Sequence, residues 1–152
     1  MPQLSPAKQL SAFIDKFDPR VAASARAALS ILRKRLPASV ELVYDNYNAL
    51  AIGFGPTDKT SEAIFSIAVY PRWVSLFFLQ GAHLSDPNKV LKGSGNAVRH
   101  LVLDSPQLLS SPAVDKLISV ALKSAKRQYD SSLRRQLIIK SVSAKQRPRR
   151  AV

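Results

Sequence analysis

Four short apolar runs between residues 40 and 79 constrain the fold more than any other feature of the sequence. They span residues 40–44, 49–54, 63–70 and 73–79, and they are rich in β-branched and aromatic residues. The gaps between them contain only two to eight residues, which is too short for the helix that joins parallel strands. The sequence therefore predicts an antiparallel meander of three or four strands.

Apolar residues recur with helical spacing on the N-terminal side of these runs. One stripe spans residues 10–17 and a longer one spans residues 21–36. Between them, Asp18-Pro19 is typical of a helix N-cap followed by proline at the first helical position. Pro37 follows the second stripe and cannot continue the helix. The sequence therefore predicts a hairpin of two helices ahead of the strands.

Two further elements follow the meander. Residues 98–103 alternate between the two faces of an extended chain, which indicates another strand. Ser111-Pro112 then precedes an apolar helical stripe over residues 114–125. We therefore predict an α+β fold with an N-terminal helical hairpin, an antiparallel sheet of about five strands, and a C-terminal helix packed on the sheet. The predicted domain covers residues 5–125.

The positive charge of the chain is unevenly distributed. The sequence has 23 Lys and Arg against 10 Asp and Glu, a formal charge of +13. From Lys116 onward, eleven basic residues accompany one acid, so this part holds +10 and the rest of the chain holds only +3. Residues 126–152 are therefore predicted to be a basic, partly disordered C-terminal extension. Deletion of the residues after Ser141 is expected to leave the fold intact.

This C-terminal extension is a candidate polyanion-binding segment, because Lys and Arg that neutralise phosphates release counterions. The competing interpretation is a solvated segment that keeps the protein soluble, since no zinc finger, helix-turn-helix or aromatic stacking motif accompanies the charge. The residues predicted to contact RNA or DNA without sequence specificity are Arg134, Arg135, Lys140, Lys145, Arg147, Arg149 and Arg150.

A second candidate site surrounds a loop with two glycines, residues 93–96, which we call the glycine loop. Lys92 and Arg99 flank it, and glycine lets backbone N–H groups converge on an anion. A plain structural turn is the alternative interpretation. Aromatic and guanidinium groups at strand ends would complete an anion pocket. The predicted ligand-binding residues are Tyr70, Arg72, Lys92, Gly93, Ser94, Gly95 and Arg99.

Several local strings, taken in combination, are similar to those of a known family. The strings are residues 41–44, 69–78, 81–84 and 91–100. Together they resemble the YdhG-like family of small bacterial domains of unknown function, which includes a frataxin-like iron chaperone. The resemblance covers roughly residues 10–122. It implies a compact α+β fold in which helices pack against an antiparallel sheet.

Enzymatic and metal-dependent functions find little support in the residues. The absence of cysteine excludes a disulfide framework, a thiolate nucleophile and Cys-ligated zinc. His83 and His100 are the only histidines, and the sequence lacks a Walker loop, a dinucleotide fingerprint and a nucleophile elbow. The first two helices carry only Asp15 and Asp18 as acids, although iron prefers carboxylate and imidazole ligands. We therefore predict no catalytic residue, no cofactor and no metal site.

The sequence also lacks the apolar stretches that direct chains to membranes. Its longest such run, residues 73–79, is far shorter than the roughly 20 residues of a membrane-spanning helix, and residues 1–8 lack a secretory h-region. We predict a cytoplasmic bacterial protein that binds an unknown small anionic ligand, without a membrane partner and without turning the ligand over. Three alternatives stay open: non-specific nucleic-acid association through the C-terminal extension, an intracellular frataxin-like iron chaperone, and an enzyme that uses His100 or Tyr70 in acid–base chemistry.

Overall fold

Three α-helices and six β-strands make up the fold in a computed structural model that describes residues 4–151. The helices are α1 (Pro6–Asp15), α2 (Pro19–Arg35) and α3 (Pro112–Ser124). The strands are β1 (Val40–Asp45), β2 (Leu50–Gly55), β3 (Phe65–Val69), β4 (Val74–Phe78), β5 (Arg99–Val102) and β6 (Gln136–Val142). The predicted α+β class is confirmed.

The two N-terminal helices begin at capping residues followed by proline. The Ser5 hydroxyl accepts a hydrogen bond from the Lys8 N–H, and the Asp18 carboxylate accepts one from the Arg20 N–H. These side chains satisfy N–H groups that have no partner inside the helix. α2 starts at Asp18-Pro19, as the sequence predicted, and α1 starts at a similar pair, Ser5-Pro6.

The strands form one mixed sheet in the order β5-β4-β3-β2-β1-β6. Neighbours from β5 through β1 are antiparallel, as the short connections require, whereas β6 runs parallel to β1. The prediction of about five antiparallel strands is therefore corrected to six strands with one parallel pair. The helix predicted over residues 114–125 is present as α3, but β6 follows it, so α3 is not the last element of the fold.

β6 lies within residues 126–152, which were predicted to be a partly disordered extension. Leu137 and Ile139 pack against the hydrophobic core, whereas Ile138 pairs with Leu42 on the other face of the sheet. This alternation has a period of two, so helical spacing could not describe it. β6 also supplies partners to the backbone groups of β1, which would otherwise form an open sheet edge.

The core lies between the helices and one face of the sheet. Alternate strand residues such as Phe54, Phe65 and Phe78 are fully buried there, against Leu29 and Leu32 of α2. The remaining strand residues point to the opposite face, which we call the open face, because residues paired between neighbouring strands share a face. Segment 57–63 lies over one corner of the open face.

Two rows of paired residues describe the open face. The first row is Ile138, Leu42, Gly53, Ser66, Phe77 and His100, with Lys92 bridged to His100 at the sheet edge. The second row is Ser141, Tyr44, Ala51, Ala68, Ser75 and Val102. Small side chains occupy the middle of both rows, so the open face has a depression at its centre.

The chain beyond β6 crosses the end of the sheet and is held there by side chains. Arg149 is only 5% exposed and donates a hydrogen bond to the buried Asp45 carboxylate over 2.9 Å. The Arg147 N–H donates to the Tyr47 carbonyl. The structure therefore differs from the predicted disorder of this segment. A buried arginine and a backbone hydrogen bond attach the segment to the domain.

Candidate ligand-binding groove

The predicted ligand-binding residues lie at two ends of the sheet. Tyr70 and Arg72 belong to the turn between β3 and β4, next to Val74 at the start of β4. Arg99 pairs with Phe78 at the other end of β4. Four strand residues separate these ends by about 13 Å. The structure therefore does not bring all seven predicted residues into one pocket.

The Arg99 side chain stabilises the glycine loop through hydrogen bonds to backbone carbonyls. Its guanidinium donates hydrogen bonds to the carbonyls of Gly95 and Val98, over 2.7 and 2.8 Å. Gly93 has a φ of +127°, a conformation that favours glycine, and its Cα lies against the Arg99 side chain. These contacts support the interpretation of Gly93, Ser94 and Gly95 as a structural turn.

Lys92 is the part of this region that reaches the open face. Its backbone N–H and C=O exchange hydrogen bonds with His100 over 2.7 and 2.9 Å. An antiparallel pair places both side chains on one face. Lys92 therefore lies beside His100, on the side away from Phe77, at the β5 edge of the sheet.

The open face contains a groove of about 560 Å³. Its floor consists of small side chains, and its walls include aromatic rings and an aliphatic residue. The floor and walls are formed by Asn46, Tyr47, Asn48, Ala49, Ala51, Ser66, Ala68, Tyr70, Phe77, Leu79 and Ser143. None of these eleven described residues is charged. The groove is therefore an uncharged, partly aromatic depression.

Two stacked aromatic pairs border the open face, and Trp73 of one pair also lines a neighbouring cavity with Arg20 and Asp104. The rings of Tyr70 and Trp73 lie 4.7 Å apart with an interplanar angle of 21°. The rings of Phe77 and His100 lie 5.2 Å apart at 27°. Trp73 and Phe77 are four residues apart along the same extended segment, so the two pairs are separated by about 13 Å. Tyr70 and Phe77 both line the groove.

Positive charge borders the open face, and the acids of β1 lie on the other side. Glu41 and Asp45 pair with core-facing residues of β2, and each is fully buried beside an arginine. The two rows of the open face contain no carboxylate. At the β1 side, the Arg147 guanidinium lies 5.8 Å from the centre of the Tyr47 ring, a cation–π distance. Lys92 stands at the opposite edge.

The other basic residues of the C-terminal extension have varied surroundings. Arg135 pairs with Glu41 at 3.2 Å, Arg149 is buried beside Asp45, and Arg150 donates to the Lys16 carbonyl. The Lys140 ammonium donates to the Asp58 carbonyl. Arg134, Lys145 and Arg147 are exposed. The seven predicted nucleic-acid residues therefore do not form one free basic segment.

Arg72 lines a separate cavity of about 270 Å³, together with Arg20 and Asp104. Tyr70, two residues earlier in the sequence, lines the groove instead. The turn between β3 and β4 therefore directs these two predicted residues to different places. Only Tyr70 and Lys92 of the predicted ligand set belong to the open face.

Phe77, His100 and Tyr47 were not among the seven predicted ligand-binding residues. The alternation of Ser66, Ala68 and Tyr70 in β3 is a signal that was available, since small residues on an exposed strand face leave room for a ligand. The stacking of Phe77 on His100 required the register of β4 against β5, which the sequence alone does not supply.

Within residues 4–151, no three His, Asp or Glu side chains lie close enough together to hold a metal ion. Among the described helices, none has the length and apolar character needed to cross a bilayer.

Comparisons with known proteins found no matching family model, no matching curated protein and no matching solved structure. The resemblance to the YdhG-like family consequently stays a prediction from the sequence, and the function is argued from the groove.

Proposed function

We propose that this protein is a non-catalytic binding module whose ligand occupies the groove on the open face. The single observation that carries this proposal is the combination of a small-residue floor with aromatic rings in a groove whose described lining contains no acid. The ligand class that fits is a planar aromatic molecule with an anionic group, such as a nucleotide. A cytoplasmic location, as predicted from the sequence, is compatible with such a ligand.

The floor favours a flat ligand. Ala51, Ala68 and Ser66 project little above the backbone, so a ring can approach the sheet closely between Tyr70 and Phe77. Aromatic groups stack in offset or edge-to-face contact and gain free energy beyond the area that they bury. A ring that enters the groove therefore finds an apolar floor and aromatic neighbours.

The charge at the borders favours an anionic group. Arg147 and Lys92 stand on opposite sides of the open face, and the described lining between them is neutral. A phosphate attached to the bound ring would meet one of these cations without passing a carboxylate. Cations at a rim attract phosphate by electrostatics and donate charge-assisted hydrogen bonds.

Binding rather than turnover follows from the chemistry of the lining. General acid–base catalysis uses His, Asp, Glu, Lys, Tyr or Cys, and among these the eleven described lining residues offer only Tyr47 and Tyr70. The groove therefore supplies recognition without an activated group.

Trp73 allows a direct test, because it is the only tryptophan and stacks on Tyr70. Titration with adenosine 5′-monophosphate is expected to change its fluorescence in a saturable manner. Adenosine should bind more weakly, since it lacks the phosphate, and ribose 5-phosphate should give no saturable change, since it lacks the ring.

The test variant is Ala51→Leu, which adds an isobutyl side chain to the floor, and the control is Val102→Leu, a smaller enlargement on the same face outside the groove. Ala51→Leu should weaken binding of adenosine 5′-monophosphate about tenfold or more. Val102→Leu should leave the affinity unchanged. Equal affinities of the two variants would overturn the proposal.

A further inference from the structure

We infer that the natural occupant of the open face is a single strand of nucleic acid, with successive bases stacked on the two aromatic pairs and the backbone held by Lys92 and Arg147. This inference rests on the proposed function and extends it from a nucleotide to a polymer. The observations behind it are the spacing of the aromatic pairs, the absence of acids from both rows, and the position of the two cations.

The spacing indicates more than one ring. Tyr70–Trp73 and Phe77–His100 stand about 13 Å apart along the sheet. A base sandwiched between two rings makes one contact of about 3.5 Å on each of its faces, so the two outer rings would have to lie about 7 Å apart. A single base therefore stacks on one pair or on the other, and a ligand that uses both pairs must carry at least two bases.

The charge pattern indicates that the linked rings belong to a polyanion. Both acids of β1 are buried on the helical side, so neither repels a phosphate on the open face. Lys92 borders the Phe77–His100 pair, and Arg147 borders Tyr47 at the other side of the groove. A strand that crosses the low centre of the sheet would meet a cation near each edge.

A sheet face with exposed aromatic rings suits single strands better than duplexes. Unstacked bases can lie flat on such rings, and stacking tolerates any base because every base has a π face. In a duplex the bases are already paired and stacked, so they cannot reach the floor of Ala51 and Ala68. We therefore expect a preference for single strands without strong sequence dependence.

The experiment compares affinities for a mononucleotide, a dinucleotide, a longer oligothymidine and a duplex of the same length, all followed by Trp73 fluorescence. The oligothymidine should bind at least tenfold more tightly than the mononucleotide, and the duplex should bind more weakly than the single strand. An oligouridine arm identifies the sugar: tight binding of either chain supports the inference.

Two variants remove one aromatic platform each while keeping apolar bulk. Tyr70→Leu and Phe77→Leu should each lower oligothymidine affinity by about fivefold to a hundredfold. With Tyr70→Leu, anisotropy of a labelled oligonucleotide replaces Trp73 fluorescence, because the stacked partner of Trp73 is gone. Circular dichroism and thermal melting show whether each variant keeps its fold.

Salt dependence tests the two cations. Lys92→Gln and Arg147→Gln should each reduce the slope of log affinity against log salt by about 0.7. Lys116→Gln, on the exposed surface of α3, is the matched control and should leave the slope unchanged.

The two proposals fail in different ways. If the mononucleotide binds in the groove but the oligothymidine binds no tighter, the polymer inference is wrong and the nucleotide-binding proposal stands. If Ala51→Leu leaves mononucleotide binding unchanged, the proposed function itself fails. If Lys116→Gln lowers the salt slope as much as Arg147→Gln does, the polyanion is attracted by net charge alone and the inference is also wrong.

Discussion

Arg149 and Asp45 are 104 residues apart in sequence, and they form an ion pair of 2.9 Å in which both side chains are almost fully buried. Asp45 ends β1, whereas Arg149 lies beyond β6, so the pair ties the C-terminal segment to the centre of the fold. Lys16 of the loop after α1 reaches the other oxygen of the same carboxylate at 3.0 Å. One buried anion therefore joins three distant parts of the chain.

Replacement of Arg149 by leucine should destabilise the fold. The change leaves Asp45 buried with only the half-exposed Lys16 as a cationic partner, and loss of one member of a buried pair costs about 3–5 kcal/mol. The free energy of unfolding in urea measures the effect. Arg150→Leu is the control, because its exposed side chain should matter by less than about 0.5 kcal/mol.

Acid should weaken the fold through Asp45. Burial raises the pKa of this carboxyl, but hydrogen bonds with Gln146, Lys16 and Arg149 outweigh burial and hold the pKa below its usual value of 3.8. The ion pair therefore contributes its full stability above pH 3.8, and this stability is lost as the pH falls through the lowered pKa of the folded state. Urea midpoints measured at several acidic pH values should fall for the native chain.

The Asp45→Asn variant isolates this effect. It should be less stable than the native chain at neutral pH and should show a flatter dependence on pH below 3.8, because it has no carboxyl to protonate at this position. An equally steep acid transition in both proteins would show that another carboxyl controls acid unfolding.

Tyr129 should weaken the fold at alkaline pH. Burial raises its pKa to about 12, the hydrogen bond with Ser39 opposes this shift, and the negative charge of Glu41 adds to it. Stability from this residue is complete below the ordinary pKa of 10 and decreases as the pH rises through about 12. Ultraviolet absorbance of tyrosinate should show one of the four tyrosines titrating late, and Tyr129→Phe should remove that step.

The glycine loop offers a matched pair of substitutions. Gly93→Ala should cost about 1–3 kcal/mol, because φ is +127° and a Cβ there would lie 3.3 Å from Arg99 and from the Val98 carbonyl. Gly95→Ala should be nearly neutral, since no described atom lies within 4 Å of the new Cβ. Thermal melting of the two variants checks the prediction, and similar losses would contradict the described loop geometry.

The register of β6 can be tested at adjacent residues. Ile139→Ala should cost about 2 kcal/mol because this side chain packs against the core, whereas Ile138→Ala on the other face should cost less. The free energy of unfolding in urea, measured for both variants, gives the two costs. A larger loss for Ile138 than for Ile139 would mean that the strand pairs one residue out of register.

Local chemistry was sufficient to predict the helical hairpin and the meander. Ser5-Pro6 and Asp18-Pro19 begin helices in almost any context, and the short gaps around Pro71 leave no alternative to antiparallel pairing. β6 was missed because its apolar residues number only four and lie among basic side chains. Strand formation there depends on the free edge of β1, which is a tertiary effect.

The candidate site was predicted only in part, for a similar reason. Tyr70 and Lys92 were named from the sequence, but the glycine loop that drew attention to Lys92 is closed by Arg99. Phe77 and His100 are 23 positions apart, and only the register of β4 and β5 stacks them. The predicted tolerance of deletion after Ser141 also changes, since that deletion removes Arg149 and leaves Asp45 without its buried partner.

The parallel pairing of β1 with β6 also affects how the chain is made. The partners Glu41 and Arg135 are 94 residues apart, and a ribosome adds residues at about 5–20 per second. During roughly 5–20 s of synthesis, the nascent hairpin of β1 and β2 therefore presents an unpaired edge, and the carboxylates Glu41 and Asp45 have only the earlier residues Arg33 and Lys16 as ionic partners. Such an edge can pair with other chains until β6 emerges and covers it.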